Sequence, residues 1–166
     1  MNVKIERSKA AGTVTAPPSK SMAHRLLVCA GLAAGESIVG NIAPSQDVLA
    51  TLDCLRALGV ACRITGNSVA VRGLSPENFK KGAVLLCRES GTTLRFLIPL
   101  ALLLENETRF TGSARLFERP LSAFADLCRE RGLTFAPGVR ELAVKGVTIR
   151  PSDQSRVSIT DRKSLM

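Results

Sequence analysis

The sequence contains no tryptophan and no tyrosine, and only 4% of its 166 residues are aromatic. Proteins that bind single-stranded nucleic acid stack the bases on aromatic side chains, so the composition nearly excludes such a stacking surface. The apolar runs are far shorter than the ~20 residues that cross a bilayer, and the N-terminus carries no basic segment followed by an apolar one. We therefore expect a cytoplasmic protein with no secretory signal and no membrane partner.

The residue patterns of metal sites and disulfide frameworks are also missing. The five cysteines are odd in number and include no C-x-x-C pair, and His24 is the single histidine. Four of the cysteines lie in apolar runs, which favours reduced, buried thiols over a disulfide framework or a zinc site. His24 lies inside a predicted helix with no visible serine, aspartate or metal partner, so we expect it at the surface or in a supporting position.

The charge of the chain is strongly positive. Lysine and arginine number 23 against 14 aspartate and glutamate residues, which gives a net charge of +9. This balance permits a nucleic-acid partner. However, the basic residues are scattered in runs of at most two, and a site for small anions such as phosphates and carboxylates explains the charge equally well. Composition alone leaves both interpretations open.

Two stretches of the chain resemble one another. Residues 19–25 (SKSMAHR) align with residues 89–95 (ESGTTLR), and residues 69–73 align with residues 142–146. Each copy has the pattern strand, helix, strand, helix, strand, strand. We therefore expect an α/β (α+β) fold built from two β-α-β-α-β-β units. The predicted divisions are a leading strand or linker over 1–11, a first unit over 12–73, a second unit over 82–146, and a divergent, poorly ordered tail over 147–166.

Capping residues and hydrophobic spacing set the expected element boundaries. In the first copy, Ser45 is a good N-cap for the second helix, Gly59 ends that helix, and Gly66-Asn67 forms a hairpin turn. In the second copy, Pro120 is predicted at the first position of the second helix. The remaining predicted elements are strands at 13–16, 37–42, 83–87 and 108–111 and helices at 22–34 and 92–104.

The first candidate site is PPSKS at 17–21, which leaves a predicted strand and enters a helix. A helix N-terminus binds anions through its free backbone N–H groups and its partial positive charge. Lys20 adds a full charge, Ser19 and Ser21 add hydroxyl groups, and Arg25 lies one turn beyond Ser21 on the same face. The alternative is that Ser21 is a simple N-cap and that Lys20 and Arg25 are solvated.

The second candidate site lies at the matching place in the second copy. Gly91 lets a ligand approach the backbone at a helix start. Ser90 or Thr92 can cap this helix, and Arg95 occupies the position that corresponds to Arg25 in the alignment. The pattern is therefore again that of a helix N-terminus with a basic side chain one turn along.

The third candidate is Arg119, which directly precedes Pro120 and is therefore expected to be extended just before a helix start. An arginine there can form a bidentate contact with a phosphate or a carboxylate. Each candidate alone could equally be part of the protein surface that binds no ligand. Their repetition at helix N-termini favours one anion site built by several loops.

These motifs resemble a known enzyme family. PPSKSMAHR at 17–25, ESGTTLRFLIPL at 89–100 and LFERPL at 116–121 are similar, in order and spacing, to the amino-terminal part of the EPSP synthases (3-phosphoshikimate 1-carboxyvinyltransferases). The resemblance covers residues 10–146. The sister family of UDP-N-acetylglucosamine enolpyruvyl transferases has a different opening motif and a catalytic cysteine loop that nothing here matches.

The resemblance implies a fold, a reaction and a mechanism without a metal or organic cofactor. Such enzymes contain six β-α-β-α-β-β units in two domains that close over the substrates. They transfer the enolpyruvyl group of phosphoenolpyruvate to the 5-hydroxyl of shikimate 3-phosphate and release phosphate. These small molecules are the implied partners, together with the remainder of the enzyme, and no nucleic-acid partner is implied.

The resemblance also implies roles for particular residues. Lys20, the implied catalytic residue, would touch both substrates, while Ser21 and Arg25 would hold shikimate 3-phosphate. Gly91 would line the phosphoenolpyruvate pocket with its backbone, and Thr92 is a further implied substrate-binding residue. Arg119 would bind the charged groups of phosphoenolpyruvate. Glyphosate, which occupies the phosphoenolpyruvate site, would contact the same groups.

The chain also departs from the family. It has no Ser-Ser-Gln motif after the second unit, and the acidic residues that act as catalytic base and acid belong to a second domain that is missing here. We therefore expect an amino-terminal fragment that is inactive alone. The alternatives are a free-standing anion-binding module made of the same units and a small basic nucleic-acid-binding protein.

Overall fold

A computed structural model describes residues 3–4, 7, 9, 11–75, 78–104 and 106–146. Helices and strands are interspersed along this part of the chain, as expected for the α/β (α+β) class. The helices are α1 Lys20–Leu32, α2 Gln46–Leu58, α3 Gly91–Leu102, α4 Ala114–Phe117 and α5 Ser122–Glu130. The strands are β1 Glu36–Val39, β2 Ala61–Thr65, β3 Ser68–Arg72, β4 Val84–Arg88, β5 Thr108–Gly112, β6 Thr134–Pro137 and β7 Glu141–Lys145.

Serine side chains begin the three longest helices. Ser19, Ser45 and Ser90 are the N-caps of α1, α2 and α3, and each side chain accepts a hydrogen bond from a backbone N–H in the first turn. These bonds satisfy donors that a helix N-terminus otherwise leaves free. Gly59 ends α2 in the left-handed conformation, with φ 110°. The predictions for Ser45 and Gly59 are confirmed.

The strands form two sheets with related topology. The first sheet has the order β1-β3-β2 and is antiparallel throughout. The second has the order β4-β5-β7-β6, in which β5-β7-β6 is also antiparallel and β4 joins β5 in parallel. The two-residue turn at Gly66-Asn67 joins β2 to β3, as predicted. The unit boundaries 12–73 and 82–146 stay a prediction.

The core lies between the two sheets and three helices. Helix α2 packs against β4 of the second sheet and β2 of the first, and it also contacts α1 and α3. Leu52 and Leu55 of α2, Leu27 of α1, Leu97 of α3 and Phe110 of β5 are fully buried there. Because the two sheets share this apolar layer, the N-terminal ends of α1, α2 and α3 are held close together.

The strand predicted at 13–16 does not form, and this prediction is wrong. Residues 11–17 are exposed and have no regular structure. Two features explain the difference. Pro17 and Pro18 have no backbone N–H to donate, and β1 is paired only with β3 in the described part of the chain. A strand without a paired neighbour loses the hydrogen bonds that stabilise it.

The prediction for Pro120 is also wrong, because α5 begins at Ser122. An unpredicted helical turn, α4, occupies residues 114–117, and the chain needs residues 118–121 to turn from α4 into α5. Leu121 is the residue before α5, and its side chain makes no capping hydrogen bond.

The cysteines and the histidine also differ from expectation. Cys54, Cys87 and Cys128 are buried free thiols, as predicted, but Cys29 is exposed on α1. His24 is fully buried, so of its two expected positions the surface one is wrong, and the supporting one stays a prediction. The predicted tail at 147–166 lies outside the described residues. In the described part, no helix is long and apolar enough to cross a bilayer.

Candidate functional site

The N-termini of three helices meet at Asp47, in the first turn of α2. The carboxylate of Asp47 accepts a hydrogen bond from Lys20 Nζ at 2.6 Å, and its backbone carbonyl lies 3.3 Å from Thr93 Oγ1. Lys20 is the first residue of α1, and Thr93 follows closely after Gly91, the first residue of α3. The structure thus brings the first two candidate sites together around the start of α2.

Arg25 extends from α1 towards α3. One Nη of its guanidinium donates to the carbonyl of Ser21 at 3.0 Å, and its Cζ lies 5.5 Å from the ring centroid of Phe96 on α3. This distance is that of a cation–π contact. Ser21 is the second residue of α1 and is exposed, and Ser19, not Ser21, is the N-cap. The hydroxyl of Ser21 is therefore not needed for capping.

Two guanidinium groups flank Gly91. A Cβ atom at this position would lie 2.6 Å from Arg119 Nη1 and 2.8 Å from Arg95 Nη1, so both groups occupy the space that a side chain would need. Arg95 also donates to the carbonyl of Pro120 at 3.2 Å, which connects α3 to the loop that carries Arg119. Gly91 is therefore buried beneath two cations, with Thr92 half-buried beside it.

The site carries an excess of positive charge. Lys20 is paired with Asp47, but Arg25, Arg95 and Arg119 form no ion pair with any carboxylate in the described residues. Free backbone N–H groups at the starts of α1 and α3 add partial positive charge. Phosphate and carboxylate groups are the ligands that such an arrangement stabilises.

Arg88 fixes the loop that leads into α3. Its backbone is in the left-handed region, with φ 55°, at the end of β4. Its guanidinium donates to Asp53 Oδ2 at 2.7 Å and to Gln46 Oε1 at 2.5 Å, both on α2. A left-handed backbone is unfavourable for a residue with a side chain. These side-chain contacts hold the conformation and connect the start of α3 to α2.

Buried polar side chains lie beneath the cations. His24 Nδ1 is 2.7 Å from Thr51 Oγ1, which is 2.7 Å from Thr93 Oγ1. Burial lowers the pKa of His24 below its ordinary value of 6.5; Asp47 opposes this shift, and the charges of Lys20 and Arg25 add to it. The imidazole is therefore neutral near pH 7.

Sequence reasoning placed the basic residues but missed the polar residues that connect the helices. Asp47, Thr51 and Thr93 are not among the site residues that the sequence predicts. A signal was available, because Asp47 lies at a third helix start, as Lys20 and Gly91 do. No group of three or more His, Cys, Asp or Glu side chains suited to a metal ion occurs within the described ranges.

The chain is similar to the members of a known enzyme family. A family model described as EPSP synthase (3-phosphoshikimate 1-carboxyvinyltransferase) matches residues 5–161. The chain is 39% identical over 137 residues to the 3-phosphoshikimate 1-carboxyvinyltransferase of Clostridium perfringens strain SM101, which covers 81% of the chain and 32% of the relative. It is 40% identical over 153 residues to that of Clostridium beijerinckii, covering 87% of the chain and 35% of the relative.

Solved structures show the same likeness. A 2.37 Å structure of EPSP synthase from Acinetobacter baumannii superimposes with a TM-score of 0.70 at 26% identity, over 81% of this chain and 32% of that one. The chain thus spans about a third of the length of the relatives that it matches. These matches favour the enzyme family over a separate anion-binding module or a nucleic-acid-binding protein. The chain belongs to the EPSP synthase (3-phosphoshikimate 1-carboxyvinyltransferase) family.

Proposed function

We propose that this chain supplies an anion-binding half-site of an enzyme that transfers the enolpyruvyl group of phosphoenolpyruvate to the 5-hydroxyl of shikimate 3-phosphate. The observation that carries the proposal is the convergence of Lys20, Arg25, Arg95 and Arg119 on helix N-termini. Both substrates carry several negative charges and repel one another. Fixed cations and helix N-termini offset that repulsion before the reaction begins.

The two sides of the site suit the two substrates. On the α1 side, Ser21 and Arg25 would hold the phosphate of shikimate 3-phosphate. On the α3 side, the backbone of Gly91 and the hydroxyl of Thr92 would face phosphoenolpyruvate, and Arg119 would bind its phosphate or carboxylate. Lys20, at the start of α1 and paired with Asp47 of α2, would contact both substrates, as the family resemblance implies.

The reaction also needs proton transfers. A proton must be added to the methylene carbon of phosphoenolpyruvate and one must leave the attacking hydroxyl. Lys20 is half-exposed and paired with Asp47, so in this chain its role is to attract and orient the substrates. We propose that the remainder of the enzyme supplies the acid and base groups and excludes water when it closes over the substrates.

The proposed enzyme works in the cytoplasm on small molecules. Its chemistry is acid–base chemistry between two bound substrates, so the proposal requires no metal ion or organic cofactor. The other partner of the chain is the remainder of the enzyme, and glyphosate would bind where phosphoenolpyruvate does.

Titration of the 166-residue chain with shikimate 3-phosphate, followed by NMR, tests the proposal. Removing a charge-assisted contact costs ~1.5–3 kcal/mol, so Arg25→Ala should weaken binding by roughly tenfold or more. The matched control is Arg63→Ala, because Arg63 is an exposed arginine on β2 and is not part of the three helix N-termini. Equal affinity of Arg25→Ala and the wild type would exclude the role of Arg25. Equal weakening by Arg63→Ala would indicate attraction by net charge alone.

A further inference from the structure

A continuous chain of buried polar side chains crosses the three helices beneath the site. It runs from His24 on α1 through Thr51 on α2 to Thr93 and Ser90 at the start of α3, with three successive contacts of 2.7 Å. All four residues are at most 2% exposed. Each contact joins two buried polar atoms, so their hydrogen bonds must be made within the protein.

Counting the hydrogen atoms on the hydroxyl groups shows the direction of donation along this chain of hydrogen bonds. In the last contact the hydroxyl of Thr93 donates to Ser90 Oγ at 2.7 Å, which is closer than the carbonyl of Asp47 at 3.3 Å. A threonine hydroxyl has a single hydrogen, and the shorter contact takes it, so Thr93 accepts from Thr51. Thr51 Oγ1 is likewise closer to Thr93 Oγ1, at 2.7 Å, than to the carbonyl of Asp47, at 3.4 Å, so it donates to Thr93 and accepts from His24 Nδ1. The imidazole is therefore the neutral tautomer with its hydrogen on Nδ1, and every donation runs from α1 towards α3.

The other ring nitrogen, Nε2, indicates that packing alone does not explain a histidine at position 24. His24 Nε2 is buried and has no hydrogen-bond partner among the described residues. An apolar side chain of similar size would avoid this unsatisfied atom. The feature that such a side chain could not supply is the Nδ1–H donor.

The far end of the chain is the cap of α3. Ser90 Oγ accepts from the backbone N–H of Thr93 at 3.2 Å as well as from its hydroxyl. Both hydroxyl groups of the middle pair also lie within 3.4 Å of the carbonyl of Asp47, in the first turn of α2. The orientation of Ser90, and with it the direction of the free N–H groups at Gly91, depends on donors that begin at α1.

We propose that His24 is a positioning residue: as the first donor of the chain through Thr51 and Thr93 to Ser90, it holds the N-terminus of α3 in its anion-binding geometry. The consequence for ligands rests on the proposed function, whereas the effect on the cap of α3 does not. His24 itself touches no ligand in this scheme.

The test compares His24→Leu, which has no donor, with His24→Asn, whose side-chain nitrogen can replace Nδ1. The first measurement is amide hydrogen exchange of Thr93 in the 166-residue chain, read by NMR. We expect exchange at Thr93 to be faster by about tenfold in His24→Leu and close to the wild type in His24→Asn, since a cap hydrogen bond is lost in the first variant only. Unchanged exchange in a folded His24→Leu, or equal acceleration in both variants, would overturn the proposal.

Two further measurements separate this proposal from the proposed function. Nitrogen-15 NMR of the His24 ring in the wild type should show the hydrogen on Nδ1, and a hydrogen on Nε2 would overturn the proposal whether or not ligands bind. Titration with phosphoenolpyruvate should then show weaker binding in His24→Leu and rescue in His24→Asn. If the wild type binds no phosphoenolpyruvate, the proposed function fails while the exchange and tautomer results still decide the role of His24.

A second variant covers the case in which His24→Leu does not fold. Thr51→Val interrupts the same chain at its middle with a side chain of the same shape, and Thr51→Ser keeps the hydroxyl as its control. Faster exchange at Thr93 in Thr51→Val with normal exchange in Thr51→Ser supports the proposal. Normal exchange in both overturns it.

Discussion

Replacing Gly91 by alanine tests whether the space between two guanidinium groups is needed for anion binding. The new Cβ would lie 2.6 Å from Arg119 Nη1 and 2.8 Å from Arg95 Nη1. Ordinary contact begins near 3.4 Å, so both groups must retreat by roughly half an ångström or more. The tips of arginine side chains are flexible, and they can move away without disturbing the fold.

Stability and binding should therefore respond differently to Gly91→Ala. Gly91 is the first residue of α3 and its φ is not positive, so alanine is compatible with its backbone and stabilises the helix by up to about 1 kcal/mol. Displacing a guanidinium from a bound anion removes a contact worth ~1.5–3 kcal/mol, which corresponds to roughly 10- to 150-fold in affinity. The change should weaken binding while leaving the melting temperature equal or higher.

The assay is calorimetric or NMR titration of the chain with phosphoenolpyruvate, together with thermal unfolding. Gly40→Ala is the matched control, because a Cβ there meets only Ser68 Oγ at 3.7 Å. Phosphoenolpyruvate affinity that is the same in Gly91→Ala as in the wild type would refute the reasoning that Arg95 and Arg119 form the α3 side of the site. A lower melting temperature would show that the displacement reaches the fold.

Three other results are expected. Burial lowers the pKa of His24 below 6.5, so just below pH 6.5 the unfolded chain binds more protons than the folded chain. The free energy of unfolding in urea should therefore decrease as the pH falls from 6.5 towards 5. The same pH dependence in His24→Asn as in the wild type would contradict this. Gly59→Ala should destabilise the chain more than Gly66→Ala. Both glycines have a left-handed backbone, which costs a residue with a side chain ~1–2 kcal/mol, but only at Gly59 would the new Cβ overlap a carbonyl oxygen, that of Asn78. Equal unfolding midpoints of the two variants would refute the clash. The 166-residue chain alone should release no phosphate from the two substrates, because positioned acid and base groups contribute ~10²–10⁴-fold, and turnover would show that those groups are already present.

Local signals in the sequence were sufficient for the elements that depend on neighbouring residues. The cap at Ser45, the helix end at Gly59 and the hairpin at Gly66-Asn67 each depend on residues only a few positions apart, so a short stretch of sequence is sufficient to predict them. The strand at 13–16 failed because a strand is stabilised by a partner from elsewhere in the chain, and no local pattern guarantees that the partner is present.

The sequence by itself determined the basic residues at helix starts, and hence the prediction of an anion-binding site. Tertiary structure decided how those starts meet. Asp47 contacts Lys20 across 27 positions of sequence and Thr93 across 46, and the guanidinium of Arg119 reaches Gly91 only because its loop folds back onto α3. The burial of His24 has the same origin, since an imidazole with no partner in its own helix is placed by the packing of α1 against α2. Such contacts depend on how apolar faces pack together, and that packing is a property of the whole fold.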